Sequence, residues 1–247
     1  MKHRLIFASV LAVAALSLAS TAHAQPSALD YRWSVEFGMG WDNTISGNIN
    51  SGGYGKINGQ DVVILKNSYE DVYGMGLHIR FGGGYMIDDV TEVRGIFTYQ
   101  SLKADLTTMG DIGTSNLYGQ YDPYRTFGLD AAFRRYVNVA KDFQAYAEGT
   151  VGLGWIDETD VILIAPQANL TKDATDFYDR TAAFSVGGNF GVLWQLNPRV
   201  GVYGQMGLKW VSGMSAVDGL AGTGLEDIND NSSRWTVPIV VGVRARF

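Results

Sequence analysis

About eight segments of the chain alternate apolar and polar residues with a period of two, each long enough for a tilted strand of about 9 to 11 residues to cross a bilayer. In YRWSVEFGMGW, residues 31 to 41, one face carries Tyr31, Trp33, Val35, Phe37, Met39 and Trp41; the other carries Arg32, Ser34, Glu36, Gly38 and Gly40. From Tyr73 to Tyr85 the apolar set is Tyr73, Met75, Leu77, Ile79 and Phe81, set against Gly74, Gly76, His78, Arg80 and Gly82. Further strands are predicted near residues 91–102, 124–136, 142–156, 180–194, 199–212 and 234–247. The last of these, RWTVPIVVGVRARF, is apolar at every second residue from Trp235 to Phe247. No segment of comparable length has helical periodicity.

The connections alternate in length, and this predicts topology. Turns at Asp88-Asp89, Asn138 to Lys141 and Gln195 to Pro198 are short, whereas residues 42–72, 103–123, 157–179 and 213–233 make long links. Short turns at one end and long loops at the other describe an up-and-down antiparallel barrel of eight strands, with both termini at the short-turn end. Ten strands are the alternative if VVIL (residues 62–65) or VILIA (residues 161–165) join the wall; each lies in a long link and is read as part of a hairpin above it.

The two faces have opposite chemistry. Trp33, Trp41, Trp155, Trp194, Trp210 and Trp235 all fall on the apolar face near strand ends, as two aromatic girdles at membrane borders require. A soluble lipocalin-like barrel, with this face as its inner core, would alternate too. On the polar face, Glu36, His78, Arg80, Glu92, Arg94, Asp130, Arg134, Glu148 and Arg244 fall at similar depths, so four acids and four arginines are expected to neutralise one another inside a narrow lumen. Charges that parity places outward, Lys103, Arg135 and Arg180, sit at strand ends where long stems can snorkel. Pro238 removes a ladder donor and predicts a bulge in the last strand.

At the other end of the chain, Lys2 and Arg4 precede an apolar stretch that closes on Ala22-His23-Ala24, a cleavable signal peptide over residues 1–24. The barrel then occupies residues 25–247. Cleavage moves the formal charge from −6 to −8, which argues against nucleic acid as a partner. With no cysteine, neither disulfides nor thiolate metal sites are available.

The terminal Phe247, with Ala245, Val243 and Val241 two, four and six places before it, resembles the closing strand of the small OmpA/OmpX-type outer-membrane β-barrels. The resemblance extends by pattern over residues 30–247. It implies location in a Gram-negative outer membrane, contact with lipid and lipopolysaccharide, and an assembly signal in those four residues read by the barrel-assembly machinery. It names no activity. Some barrels of this size are lipid-modifying enzymes whose acyl chemistry needs His, Ser and an acid together. After cleavage His78 is the single histidine; two residues along stands Arg80 and not Ser, and no Asp neighbours it in its strand. No catalytic residue and no cofactor are therefore expected. Eight strands also leave a lumen that side chains fill, so a porin-like channel would be narrow.

The long links are acidic. Residues 157–179 hold Asp157, Glu158, Asp160, Asp173, Asp176 and Asp179 against Lys172, and residues 213–233 hold Asp218, Glu226, Asp227 and Asp230 with no base. Such loops could share divalent cations with lipopolysaccharide phosphates. DINDNS (Asp227–Ser232) has the start of a calcium loop but lacks its later Gly and Glu, so it is expected to be solvated loop with no metal. The resulting expectation is a structural or surface-interaction protein acting through its loops on an unidentified extracellular ligand.

Overall fold

In the structure, a computed structural model, residues 31–217 and 220–247 are described; the predicted signal peptide and Asp218 lie outside them, as do the side chains of Asp173 and Asp176. Eight long strands carry the alternation: β1 (Trp33–Ser46), β6 (Gly76–Met86), β7 (Thr91–Leu102), β10 (Tyr124–Ala140), β11 (Phe143–Ile156), β14 (Thr181–Gln195), β15 (Val200–Val211) and β16 (Arg234–Arg246). They close in the order β1-β16-β15-β14-β11-β10-β7-β6, every pair antiparallel. The barrel is thus eight-stranded, and the ten-stranded alternative is set aside.

At one end the strands are joined by tight turns whose side chains hold the backbone. Asp88 accepts from the Val90 amide at 2.9 Å, and Asn197 accepts from the Arg199 and Val200 amides, both at 2.9 Å. The first and last barrel strands meet there: Trp33 and Phe247 exchange backbone hydrogen bonds of 3.1 and 2.9 Å, which carries the β1–β16 seam to Phe247. Pro238 makes no bulge. It pairs with Asp42 in continuous register, and the β15–β16 pairing keeps one register across it, from Met206↔Ile239 to Lys209↔Thr236, with the intervening pairs missing. One absent donor interrupts a ladder without inserting a residue; the irregularity of this seam lies instead between Thr44 and Ser46 of β1.

The barrel is inside out relative to a soluble protein. Glu36, Glu92, Arg134, Arg244 and Thr236 are at most 2% exposed, whereas Phe37, Leu129, Val151, Val241 and Phe247 are 45 to 63% exposed. This excludes the lipocalin-like alternative, in which the apolar face would be the core. Two bands of aromatic side chains run round the outside. Near the short turns Trp33 packs on Tyr85 with ring centroids 4.9 Å apart, and Trp194 stacks on Phe143 at 5.7 Å. Toward the other end, Trp210 is paired in register with Trp235, Phe127 is paired with Trp155, and Trp41 sits opposite Leu77. All six tryptophans face outward.

The four long links do not behave as solvated loops. They build a dome from β2 (Asn48–Asn50), β3 (Gly53–Ile57), β4 (Gln60–Ile64), β5 (Asn67–Ser68), β8 (Thr107–Ile112), β9 (Ser115–Tyr121), β12 (Thr159–Ala165) and β13 (Leu170–Tyr178). Six of these form one sheet, β13-β12-β9-β8-β4-β3; Val62 to Ile64 of VVIL lie in β4 and VILIA lies in β12. Beneath it Ile49, Met109, Leu117, Val161, Leu163 and Phe177 are at most 1% exposed, in a core that continues into the barrel mouth through Leu102, Tyr124, Ile156 and Val211. A one-turn helix α1 (Tyr69–Val72) enters this core; Ser68 and Asp71 cap it reciprocally, and the Ser68 bonds hold the Asp71 carboxyl below the usual aspartate range.

The DINDNS stretch departs most from expectation. Ile228 and Asn229 are 2 and 4% exposed. Asn229 donates to the carbonyls of Phe177, at 2.9 Å, and Val217, while Asn231 accepts from the Met214 amide at 2.7 Å and donates to its carbonyl at 2.9 Å. Its amide side chains tie one link to another instead of standing in solvent.

Candidate functional site

Period two delivers the inward side chains to the lumen in layers, and register sets which meet. Glu36 of β1 pairs with Arg244 of β16, Arg134 of β10 with Glu148 of β11 on one side and Glu92 of β7 on the other, and Ala132 with Arg94. Oppositely charged residues are thus cross-strand neighbours before any side chain turns.

Glu148 is the hub. It accepts from Arg80 at 2.5 Å, Arg94 at 2.9 Å, Arg134 at 2.9 Å and Asn189 at 3.0 Å. Arg134 also donates to both oxygens of Glu36, at 2.6 and 3.2 Å, and its guanidinium lies 4.1 Å from the centre of the Tyr146 ring. Arg94 approaches Glu36 at 2.6 Å as an ion pair off the hydrogen-bond direction. A second knot adjoins the first: Glu92 accepts from Arg244 and Tyr136, both at 2.6 Å, and from Ser34 at 2.5 Å, while Arg244 also reaches the Tyr136 hydroxyl. Each carboxylate is bonded on both oxygens, the condition under which a buried ion network is tolerated.

Toward the short turns an apolar layer of Met86, Tyr136, Tyr146, Leu193, Tyr203 and Val240 fills the bore. Glycine is needed opposite these rings. A Cβ at Gly38 would strike the Tyr203 hydroxyl, and one at Gly191 the Tyr146 ring. At these two positions the inward glycines make room for tyrosine rings.

Two predicted members leave the network. Asp130 is claimed by Lys209, at 2.9 and 3.1 Å, and by Ser185 at 3.2 Å. His78 lies above it with its Nδ1 3.7 Å from Asp42 Oδ2. An acid does therefore neighbour His78, from β1 and not from its own strand, and Ser185 lines the same cavity. Lys209, Asp42, Tyr136 and Asn189 are missed members. The first two were legible by parity, Lys209 two places beyond Gly207 and Asp42 two beyond Gly40, once β1 is allowed to run past Trp41.

Between the charged layers and the dome lies a cavity of about 30 Å³, bordered by residues of all eight barrel strands, His78, Gln100, Thr126 and Arg234 among them. It holds roughly two water-sized species, too little for an acyl chain or a peptide. No group of three or more His, Asp or Glu able to hold a metal occurs among the described residues.

No protein-family model matches the sequence, and no curated protein matches it. Among solved structures the chain is similar to Neisserial surface protein A, with 12% identity and a TM-score of 0.45 over 87% of this chain and 97% of that one. It is similar to the outer membrane protein OprG of Pseudomonas aeruginosa at 13% identity and a TM-score of 0.45, covering 88% and 96% of the two chains. The attachment invasion locus protein Ail of Yersinia pestis aligns at 10% identity and 0.39, covering 87% of this chain and 99% of that one.

Proposed function

We propose that this chain is an integral β-barrel protein of a Gram-negative outer membrane, that its lumen is sealed, and that it acts as a structural or surface-interaction protein through its dome. The observation that supports this best is the inverted distribution of polarity around a closed barrel. An exterior of Phe37, Leu129, Val151 and Val241 at 45 to 56% exposure suits lipid, and in water would leave an apolar belt far beyond ordinary surface patches. The short-turn end with both termini is assigned to the periplasm and the dome to the outside. Val241, Val243, Ala245 and Phe247 act as the assembly signal for the barrel-assembly machinery; Val241, Val243 and Phe247 stand outward on the seam strand.

The lumen supports a sealed wall over a conduit. The Glu148 hub, the tyrosine layer and the dome core close the bore at three levels. A catalytic role for His78 is disfavoured by the cavity's size and by the dome above it. The dome's exposed acids, Glu158, Asp179, Asp227 and Asp230, are where lipopolysaccharide-bound divalent cations or an extracellular ligand would be met. Membrane fractionation with a heat-modifiability gel tests the membrane reading, and reconstitution into planar bilayers tests the seal. A soluble, unshifted protein overturns the first; a defined conductance overturns the second in favour of a narrow channel.

A further inference from the structure

The dome repeats the order of the barrel and leaves one gap in it. Its sheet runs β13-β12-β9-β8-β4-β3, and the wall strands that lead into these run β14-β11-β10-β7-β6-β1. β15 and β16 have no counterpart: among the described residues of the link between them, 213–233, no strand occurs. The sheet therefore ends in two edges, β3 and β13, and this link is tied to both. On the β3 side the Ser51 and Lys56 amides donate to the Ile228 and Thr223 carbonyls at 2.8 and 2.7 Å. On the β13 side Asn229 donates to the Phe177 carbonyl at 2.9 Å, and Tyr178 bridges to Ala216.

Residues 220–229 of the link hold their own shape. Glu226 Oε1 accepts from the Gly222 and Gly224 amides at 2.7 and 3.2 Å, the Thr223 amide and hydroxyl donate to the Leu220 carbonyl at 3.2 and 2.5 Å, and the Ile228 amide donates to the Leu225 carbonyl at 3.3 Å. Gly222 and Gly224 take φ of 77° and 76°, which only glycine adopts at little cost, so the turn is built locally. Toward the rest of the dome, the hydrogen bonds of 220–229 among the described residues are the Ser51, Lys56 and Asn229 bonds above and one from the Ser51 hydroxyl to the Asp227 carbonyl at 2.6 Å.

What seats this body is apolar. Leu220, Leu225 and Ile228 are 3, 1 and 2% exposed. β3 is cut to receive them: it turns Tyr54 and Lys56 outward and has no side chain at Gly53 and Gly55. A Cβ at Gly53 would strike Ile228, and one at Gly55 would strike Leu225 and the Thr223 carbonyl. A piece bonded mostly to itself, with few ties to its surroundings, is the kind of unit that opens before the fold does.

We propose that residues 220–229 are a lid: they lift from β3 as one body and open the dome sideways, above the β15–β16 seam, while the six-stranded sheet and the barrel stay folded. Shut, the dome presents polar surface. Open, it presents the apolar side chains around Leu117, Val161 and Phe177 and the freed amides of Ser51 and Lys56. The Glu148 hub and the tyrosine layer keep the bore closed beneath, so the lid uncovers the dome and not the barrel.

The test follows amide exchange residue by residue on the full-length protein in lipid nanodiscs. In wild type the Ser51 and Lys56 amides are expected to share one protection, lower than that of the amides pairing β8 with β9. Exchange of the two only together with β8–β9, or with unlike protections, overturns the proposal without any variant. Gly55→Ala crowds Thr223 and Leu225 from the seat; it is expected to speed both amides about tenfold or more and leave β8–β9 unchanged. Equal acceleration of all of them overturns a separable lid. Since the chain has no cysteine, Val161→Cys reports the interior through a water-soluble thiol reagent. Its labelling is expected to rise by the same factor in the Gly55→Ala background, and labelling that does not respond overturns the opening of the interior.

Discussion

Replacing Glu148 by leucine removes the hub of the lumen network while nearly keeping its volume, so the cost is electrostatic and not that of a void. Three guanidiniums, Arg80, Arg94 and Arg134, lose an acceptor at 2.5 to 2.9 Å, and Asn189 loses one at 3.0 Å. Arg94 and Arg134 keep Glu36, but Arg80 has no second ion pair among the described residues. Breaking a buried pair from one side costs about 3–5 kcal/mol, because a charge is left in a dry site. The expected loss on Glu148→Leu is in that range, read by urea unfolding from lipid vesicles with tryptophan fluorescence. Arg80→Met in the same background removes the stranded charge and should restore a large part of the loss, so the double variant is more stable than the two single effects predict. Costs that add to within about 0.5 kcal/mol refute the reasoning, since contacting charges must couple.

Arginine at Val151 or Val241, outward and near mid-wall, should cost about 2–4 kcal/mol in the same assay, and at Trp210 nearer the border about 0–1, a depth profile a soluble barrel would not show. Asn229→Ala strands the Phe177 and Val217 carbonyls and should cost about 1–3 kcal/mol; limited proteolysis should then cut the dome while the barrel keeps its heat-dependent gel shift. Asp71, whose Ser68 hydrogen bonds lower its pKa in the folded state, contributes stability that is present above the ordinary aspartate pKa of about 4 and is lost as pH falls through its lower folded value. Amide exchange across Tyr69–Tyr73 should accelerate over that acidic window in wild type and show no such step in Asp71→Asn.

What could be read from the sequence was whatever one rule of parity governs. In a strand, position modulo two decides the face, so a run such as residues 142–156 places Glu148 inward and Val151 outward without knowledge of its neighbours. Eight such runs and the rhythm of link lengths were enough for closure, and the strand limits of β7, β10, β11 and β14 begin within a residue of where alternation begins. Parity gives face and approximate depth, however, not partner. Depth alone groups Asp130 with the arginines; the register of β14 and β15 brings Lys209 and Ser185 to it instead.

The dome escaped for a different reason. Its strands run from two to nine residues, too short to display a period, and its order depends on contacts between links far apart in the chain: Tyr178 donates to the Ile49 carbonyl, Tyr121 to Asn50 Oδ1 at 3.2 Å, Asn229 to the Phe177 carbonyl. Burial there is shared among many small pieces, with tyrosines supplying both apolar area and a hydroxyl for an otherwise unpaired partner. Desolvation raises the pKa of Tyr69, Tyr121 and Tyr178, so the neutral hydroxyls these contacts use are retained well above neutral pH. Residues such as Asn229 look in sequence like loop polarity, and the same amide that would have suited solvent or a cation is what a packed link needs to satisfy two buried carbonyls. Acidic composition was therefore a guide to the dome's surface, where Glu158 and Asp227 stand, and silent about its interior.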